Sequence, residues 1–321
     1  MMGSFTLPVT GGTLEAAWWG PGPAEAPTLV LLHEGLGSVE LWRDVPERLA
    51  ATTGWGVFAW SRFGYGRSTP VTLPRPLTYM HDEAQAVLPE VLHAAGIEQC
   101  VLVGHSDGGS IAAIYAGSMA SSSPLSPAPR VSHVSWPGLA RPSTTGRAET
   151  DEDVDGRAKP GHDTECDTER DTRQAIRPGP SILALITIAA HFFVEDINIA
   201  SIARIKTEYE TTFLREKLAR YHNDVDGAFY GWNGAWLDPG FRAFDITGFL
   251  PCIQVPILAL QGADDPYGTD EQLHVLKANV RAPIETVLIP GAKHSPHLEA
   301  KDATLAAITG FIADIQRDFS P

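Results

Sequence analysis

Cysteine is scarce: Cys100, Cys166 and Cys252 are the only three in 321 residues. Three cannot all pair within one chain, and their spacing fits no metal-ligand pattern, so neither a disulfide framework nor a metal site is expected. Reduced thiols in a reducing compartment are the simple expectation, and with them a cytoplasmic location. Long apolar runs are also lacking. No stretch approaches the roughly 20 residues that a membrane span needs. The first eight residues have neither the basic start nor the apolar centre of a secretory leader. Positive charge is in deficit, with 24 Lys and Arg against 39 Asp and Glu and a formal net charge of −15. Such a surface repels phosphate backbones and anionic lipid, so nucleic acid and membrane are not expected partners.

What is present is a chain that is 43% hydrophobic, enough to bury a large core. Residues 5–9 and 13–19 read as strands of a hairpin turning at Gly11-Gly12. Short apolar runs at 28–32, 56–60 and 100–103 read as strands buried on both faces. Helical spacing at 39–51 and 82–95, and a small-residue helix at 108–116, alternate with them. The alternation resumes with strands at 182–189, 255–260 and 284–289 and helices at 270–278 and 303–315. This order predicts an α/β fold: a mostly parallel, twisted sheet of about eight strands with helices on both faces.

Gly104-His105-Ser106-Asp107-Gly108 matches G-x-S-x-G and lies between a strand and a helix. That is the context of a nucleophile elbow, where a tight turn holds a serine hydroxyl out at the sheet edge. A serine needs a base, and the base needs an orienting acid. Asp264 and Asp265 follow one later strand and His294 follows the next, so both would project to the same edge as Ser106.

These residues resemble the α/β-hydrolase family, over about residues 25–118 and 180–317. The resemblance implies a catalytic triad of Ser106, Asp265 and His294, with Asp264 and His297 as the rival acid and base; His297 is expected to be an exposed helix residue. It implies an oxyanion hole made by the backbone N–H groups of Gly35 and Asp107. Two departures stand out. Glu34 occupies the place of the family's first glycine in His-Gly-x-x-Gly, and a carboxylate there would oppose an oxyanion, so it should turn away or pair with Arg62. Ser61 stands near the usual Asp of a D-x-R-G-x-G-x-S loop.

The implied organisation is a hydrolase core at 1–118, 180–190 and 251–321, a helical cap at 191–250 and an insert at 119–179. The insert is rich in Pro, Ser, Thr and charge, a composition that favours disorder. Its stretches at 136–144 and 153–163 resemble the two arms of a palindromic DNA repeat translated in frame. The cap is aromatic, and Trp232, Trp236 and His191 are its expected substrate contacts, suited to an apolar or aromatic group. The activity implied is hydrolysis of a small or medium carboxylic ester through an acyl-enzyme, without cofactor or metal. A carbon–carbon bond, lactone or amide substrate is the alternative, as is a non-catalytic ligand-binding member of the fold.

Overall fold

Alternation with a period of two decides which face each strand residue takes. In β3 (Thr28–Leu32), Leu29 and Leu31 enter one apolar core, while Val30 and Leu32 enter the other. The same division recurs in β5 (Gln99–His105), with Val101 and Val103 on one side and Cys100 and Leu102 on the other. Both faces of the sheet are therefore covered. Each fully buried Leu or Val contributes about 1.5–3 kcal/mol of transfer free energy.

The computed structural model describes residues 2–119 and 179–318. The remaining strands are β1 (Met2–Val9), β2 (Gly12–Trp19), β4 (Gly56–Trp60), β6 (Ser181–Ile188), β7 (Ile257–Gly262) and β8 (Ile284–Ile289). They form one eight-stranded sheet in the order β1-β2-β4-β3-β5-β6-β7-β8. β1 pairs antiparallel with β2, and β2 with β4; every other pair is parallel. One face is covered by α1 (Val45–Thr53) and by the last helix, Lys301–Asp318, through Leu49, Ile308, Phe311 and Ile312. The other is covered by Leu88–Ala94 and Asp107–Met119, through Leu88, Val91, Ile111 and Ile114.

Three expected elements shift, each for a local reason. The helix expected at 39–51 breaks into a 3-10 turn, Val39–Trp42, and α1, because Arg43 between them takes φ 57°. The helix expected at 82–95 starts at Tyr79 and passes through a π-turn, Glu83–Val87, just ahead of Pro89, which has no N–H to give the preceding turn. The strand expected at 255–260 begins two residues later, after Pro256.

Between β6 and β7 the chain forms three α-helices, Asp196–Thr211, Leu214–Leu218 and Val225–Leu237, followed by two 3-10 helices, Pro239–Ala243 and Thr247–Cys252. The first opens on a reciprocal cap between Glu195 and Asn198. Much of the aromatic content packs inside this segment: Tyr209 stacks on Phe229 with ring centroids 3.6 Å apart, and Trp236 lies 4.8 Å from Phe241. The segment lies over the C-terminal ends of the strands, where Asn223 N–H donates to the Gly66 carbonyl and His222 Nε2–H to that of Leu36.

Cys100 is a buried free thiol, whereas Cys252 is disulfide-bonded, so the expectation of three reduced cysteines fails at Cys252. The cysteine argument for a reducing compartment goes with it. Among the described residues no helix is long and apolar enough to cross a membrane.

The insert expected at 119–179 lies outside the described residues except for its two ends. Those ends meet: a methyl group added to Gly179 would stand 2.5 Å from Met119 Cε. They meet at the end of the sheet opposite Ser106. Because loop closure costs only about 0.6 kcal/mol per doubling of length, a short linker should serve equally well there. Replacing residues 120–178, which removes Cys166 as well as the loop, by a short Gly-Ser linker should leave the melting temperature near that of Cys252→Ala in the full chain, a variant that also lacks the disulfide. Thermal unfolding of the two variants checks this, and a deletion that melts well below Cys252→Ala would contradict it.

Candidate active site

β5 runs into Asp107–Met119 with a single residue between them, Ser106, at φ 52°. That left-handed conformation costs a non-glycine residue of order 1–3 kcal/mol, and the surroundings must hold it. They do so on both sides. Ser106 N–H donates to the Ile188 carbonyl at 2.8 Å, and the Ser106 carbonyl accepts from the N–H groups of Gly109 and Ser110. The bend is so close that a Cβ on Gly104 would lie 2.3 Å from the Gly108 oxygen. One on Gly108 would lie 2.1 Å from the Leu32 oxygen.

His294 stands in the loop after β8, and its Nε2 lies 3.0 Å from Ser106 Oγ. Its Nδ1 lies 3.0 and 2.9 Å from the two carboxylate oxygens of Asp265, after β7. A carboxylate can only accept, so Nδ1 carries the proton and Nε2 presents its lone pair to the serine. Asp265 is oriented by Gln261 Nε2, donating at 2.6 Å, and by Tyr267 N–H at 2.8 Å. Burial pushes the Asp265 carboxyl up, but hydrogen bonding and charge from His294 outweigh it and leave it below its ordinary value. The rival Asp264 is exposed. Gln261 was not singled out in the sequence; a buried amide at the end of an apolar strand, four residues before the acid, was its only signal.

Two peptide groups are aimed by what holds their carbonyls. A trans peptide points its C=O and N–H in opposite directions. The Glu34 carbonyl accepts from His33 Nδ1 at 2.6 Å, Arg62 Nη2 at 3.0 Å and Gly37 N–H at 3.1 Å. The N–H of Gly35, in the same peptide, is thereby turned the other way. The Ser106 carbonyl is tied back by Gly109 and Ser110, which turns the Asp107 N–H likewise. Asp107 is the first residue of its helix, where an N–H has no intrahelical acceptor. Its side chain is fully buried, accepts from Tyr79 OH at 2.6 Å and lies 4.0 Å from Arg62 Nη2. Burial raises the Asp107 carboxyl above its usual range, against the opposing pull of Arg62 and the Tyr79 and Trp236 hydrogen bonds.

Both departures from the family pattern have a local solution. Glu34 does not pair with Arg62 through its carboxylate. Arg62 Nη1 and Nη2 go instead to the backbone carbonyls of His33 and Glu34, and Glu34 Oε2 lies 3.4 Å from His105 Nδ1. The carboxylate missing at Ser61 arrives from β2: Glu15 Oε2 accepts from Ser61 Oγ at 2.7 Å and from Arg67 N–H at 3.1 Å. A lone acid in the otherwise apolar half of β2 was the trace of it in the sequence.

His191 is buried, with its ring stacked 5.7 Å from that of His294. Burial, then the nearby His294, push its pKa down to about 3. Trp232 lies against the Gly35 loop, so close that a Cβ on Gly35 would meet its Nε1. Trp236 is fully buried; its ring edge meets His191, and its N–H donates to Tyr79 OH at 3.1 Å. His297 is not the exposed residue expected: it is 2% exposed, packed between Trp42 and His105, and does not touch Ser106 through any hydrogen bond among the described residues. The short helix Pro296–Glu299 turns it inward under the sheet edge. Among the described residues, no group of three or more His, Cys, Asp or Glu could hold a metal ion.

Comparison with known proteins agrees with the architecture. A family profile described as the alpha/beta hydrolase fold matches residues 27–133. No curated protein sequence matches the chain. Among solved structures, an epoxide hydrolase from hot-environment metagenomes is 18% identical, with a TM-score of 0.62 over 97% of this chain and 99% of that one. A thermophilic esterase from Thermogutta terrifontis is 16% identical, with a TM-score of 0.59 over 98% and 99%. The enol-lactonase of Burkholderia xenovorans LB400 is 16% identical, with a TM-score of 0.60 over 96% and 100%.

The buried imidazole of His191 sets a pH dependence. Its folded-state pKa lies below the unfolded value of about 6.5, so the unfolded chain binds the proton more readily. The stability it preserves is complete above that value and is lost as pH falls from there toward about 3. The slope is at most about 1.4 kcal/mol per pH unit. His191→Phe should therefore lose less stability than the wild type between pH 6.5 and 5. Urea midpoints at the two pH values check this; parallel losses would contradict it.

Proposed function

The chain has the α/β-hydrolase fold, and on that premise we propose that it is a serine hydrolase acting on small or medium carboxylic esters. One observation carries the reading: Ser106 Oγ, His294 and Asp265 stand in one unbroken hydrogen-bonded line, with the imidazole tautomer fixed for proton abstraction.

Chemistry follows from that line. His294 Nε2 takes the Ser106 proton as Oγ bonds to the substrate carbonyl carbon, and the carbonyl electron pair moves onto oxygen. Asp265 stabilises the imidazolium that results without taking its proton. The oxyanion receives the Gly35 and Asp107 N–H groups, donors that need no rearrangement during the reaction. His294 returns its proton to the leaving alkoxide, and the alcohol departs. Water then repeats the sequence on the acyl-enzyme and releases the acid.

The surroundings of Ser106 favour an apolar acyl or alcohol group. Trp232 flanks the oxyanion loop, and the neutral ring of His191 lies against His294. The esterase and the enol-lactonase among the structural neighbours act on bonds that this line of groups could also attack. Lactone, amide and carbon–carbon substrates share the attack step and differ in the leaving group.

Ser106→Ala should lower kcat by about 10⁴–10⁶-fold with little change in melting temperature. Labelling with a fluorophosphonate probe and a panel of p-nitrophenyl esters of increasing acyl length test both the nucleophile and the substrate class. Turnover in Ser106→Ala equal to that of the wild type would remove Ser106 from the mechanism.

A further inference from the structure

His105 takes no part in the chemistry above, yet it is 1% exposed and lies beside the triad. Its Nε2–H donates to the backbone carbonyl of His294 at 2.7 Å, which fixes the position of one ring proton. Its Nδ1 faces Glu34 Oε2 at 3.4 Å, an ion-pair distance rather than an aligned hydrogen bond, and has no hydrogen-bond partner among the described residues. Burial pushes the Glu34 carboxyl up, but the neighbouring His105, together with His33 and the local backbone, outweighs burial and holds it far below the usual range. The ring of His297 meets His105 edge-on at 4.6 Å and that of His294 lies 5.2 Å away, so His105 is held from both sides.

We propose that Glu34 and His105 are positioning residues that tie the oxyanion loop to the loop carrying His294. Glu34 stands next to Gly35, and the far end of the bridge is the carbonyl of the general base itself. These two loops end different strands and are separated by some 260 residues of chain, counting from Glu34 to His294. A misplacement of about 1 Å between reacting groups can cost on the order of 100-fold in rate. The bridge sets the one relative placement that attack on the carbonyl requires. It also gives the departure at Glu34 a purpose, because a glycine there could not reach His105. The inference rests on the reading of Ser106 and His294 as nucleophile and base.

The test compares Glu34→Leu, which keeps bulk and removes every polar atom, with Glu34→Gln, whose amide can donate to His105 Nδ1. Hydrolysis of p-nitrophenyl acetate is measured for both, for His105→Phe and for the double variant Glu34→Leu/His105→Phe. Glu34→Leu should lower kcat about 10- to 100-fold with KM essentially unchanged, and Glu34→Gln should recover most of that loss. The double variant should be no worse than the poorer single one, the signature of a shared interaction. Wild-type kcat in Glu34→Leu overturns the proposal, as does a change confined to KM, multiplying losses in the double variant, or Glu34→Gln as damaged as Glu34→Leu. Thermal unfolding identifies any variant that fails to fold; if His105→Phe does, the Glu34 pair alone decides. Wild-type protein that neither labels with fluorophosphonate nor turns over ester overturns the reading of the site and the bridge with it. A wild type that does both, beside an unimpaired Glu34→Leu, overturns the bridge alone.

Discussion

Ser106 sits at φ 52°, a conformation that an L side chain enters only at a cost, and the architecture around it exists to hold that bend. β5 and the helix Asp107–Met119 are both deeply buried, so their ends cannot move apart to relieve it. The two glycines beside it let backbone meet backbone where a Cβ would overlap an oxygen. The same hydrogen bonds that brace the bend also aim the Asp107 N–H, because the Ser106 carbonyl they hold is the other end of that peptide. Strain, the orientation of the Ser106 hydroxyl and the aim of one N–H are consequences of one turn.

The parts of this arrangement that were legible in the sequence are those encoded by neighbours in the chain. A strand run, a G-x-S-x-G turn and a helix occupy consecutive positions, and Asp265 and His294 each follow directly on a strand. What was not legible is pairing across the sheet. Glu15 comes to Ser61 because β2 pairs antiparallel with β4 in the register Ala16↔Trp60, which also brings Ser61 N–H to the Glu15 carbonyl. No spacing rule encodes that register. His297 misled for a similar reason. A residue one turn beyond a loop at the sheet edge usually meets solvent, but here Pro296–Glu299 is a single short turn that packs against Trp42. The break at Arg43 and the π-turn before Pro89 are likewise local conformations that hydrophobic periodicity does not register.

The aromatic segment between β6 and β7 shows how one composition serves two ends. Tyr209, Phe229 and Phe241 pack against one another or against Trp236 and make the segment's own core. Trp232 and Trp236 also reach outward, Trp232 onto the Gly35 loop and Trp236 through its N–H to Tyr79 and so to Asp107. The packing that stabilises the segment therefore also fixes where its polar atoms meet the site.

Charge is the remaining difficulty, since three acids gather around Ser106, and the proposed reaction would form a negative oxygen among them. Each is dealt with by different physics. Asp265 is balanced by the imidazole whose proton it holds. Asp107 is buried, hydrogen-bonded by Tyr79 and pushed toward its neutral form, with Arg62 only 4.0 Å away. Glu34 keeps its charge, and its carboxylate faces His105 at 3.4 Å. Arg62 meanwhile gives two of its donors to the carbonyls of His33 and Glu34, so its positive charge lies directly behind the Gly35 amide. In a chain with an acidic excess of 15, the field at Ser106 is decided by these few short contacts rather than by the net charge, because buried pairs escape the screening that flattens the surface field.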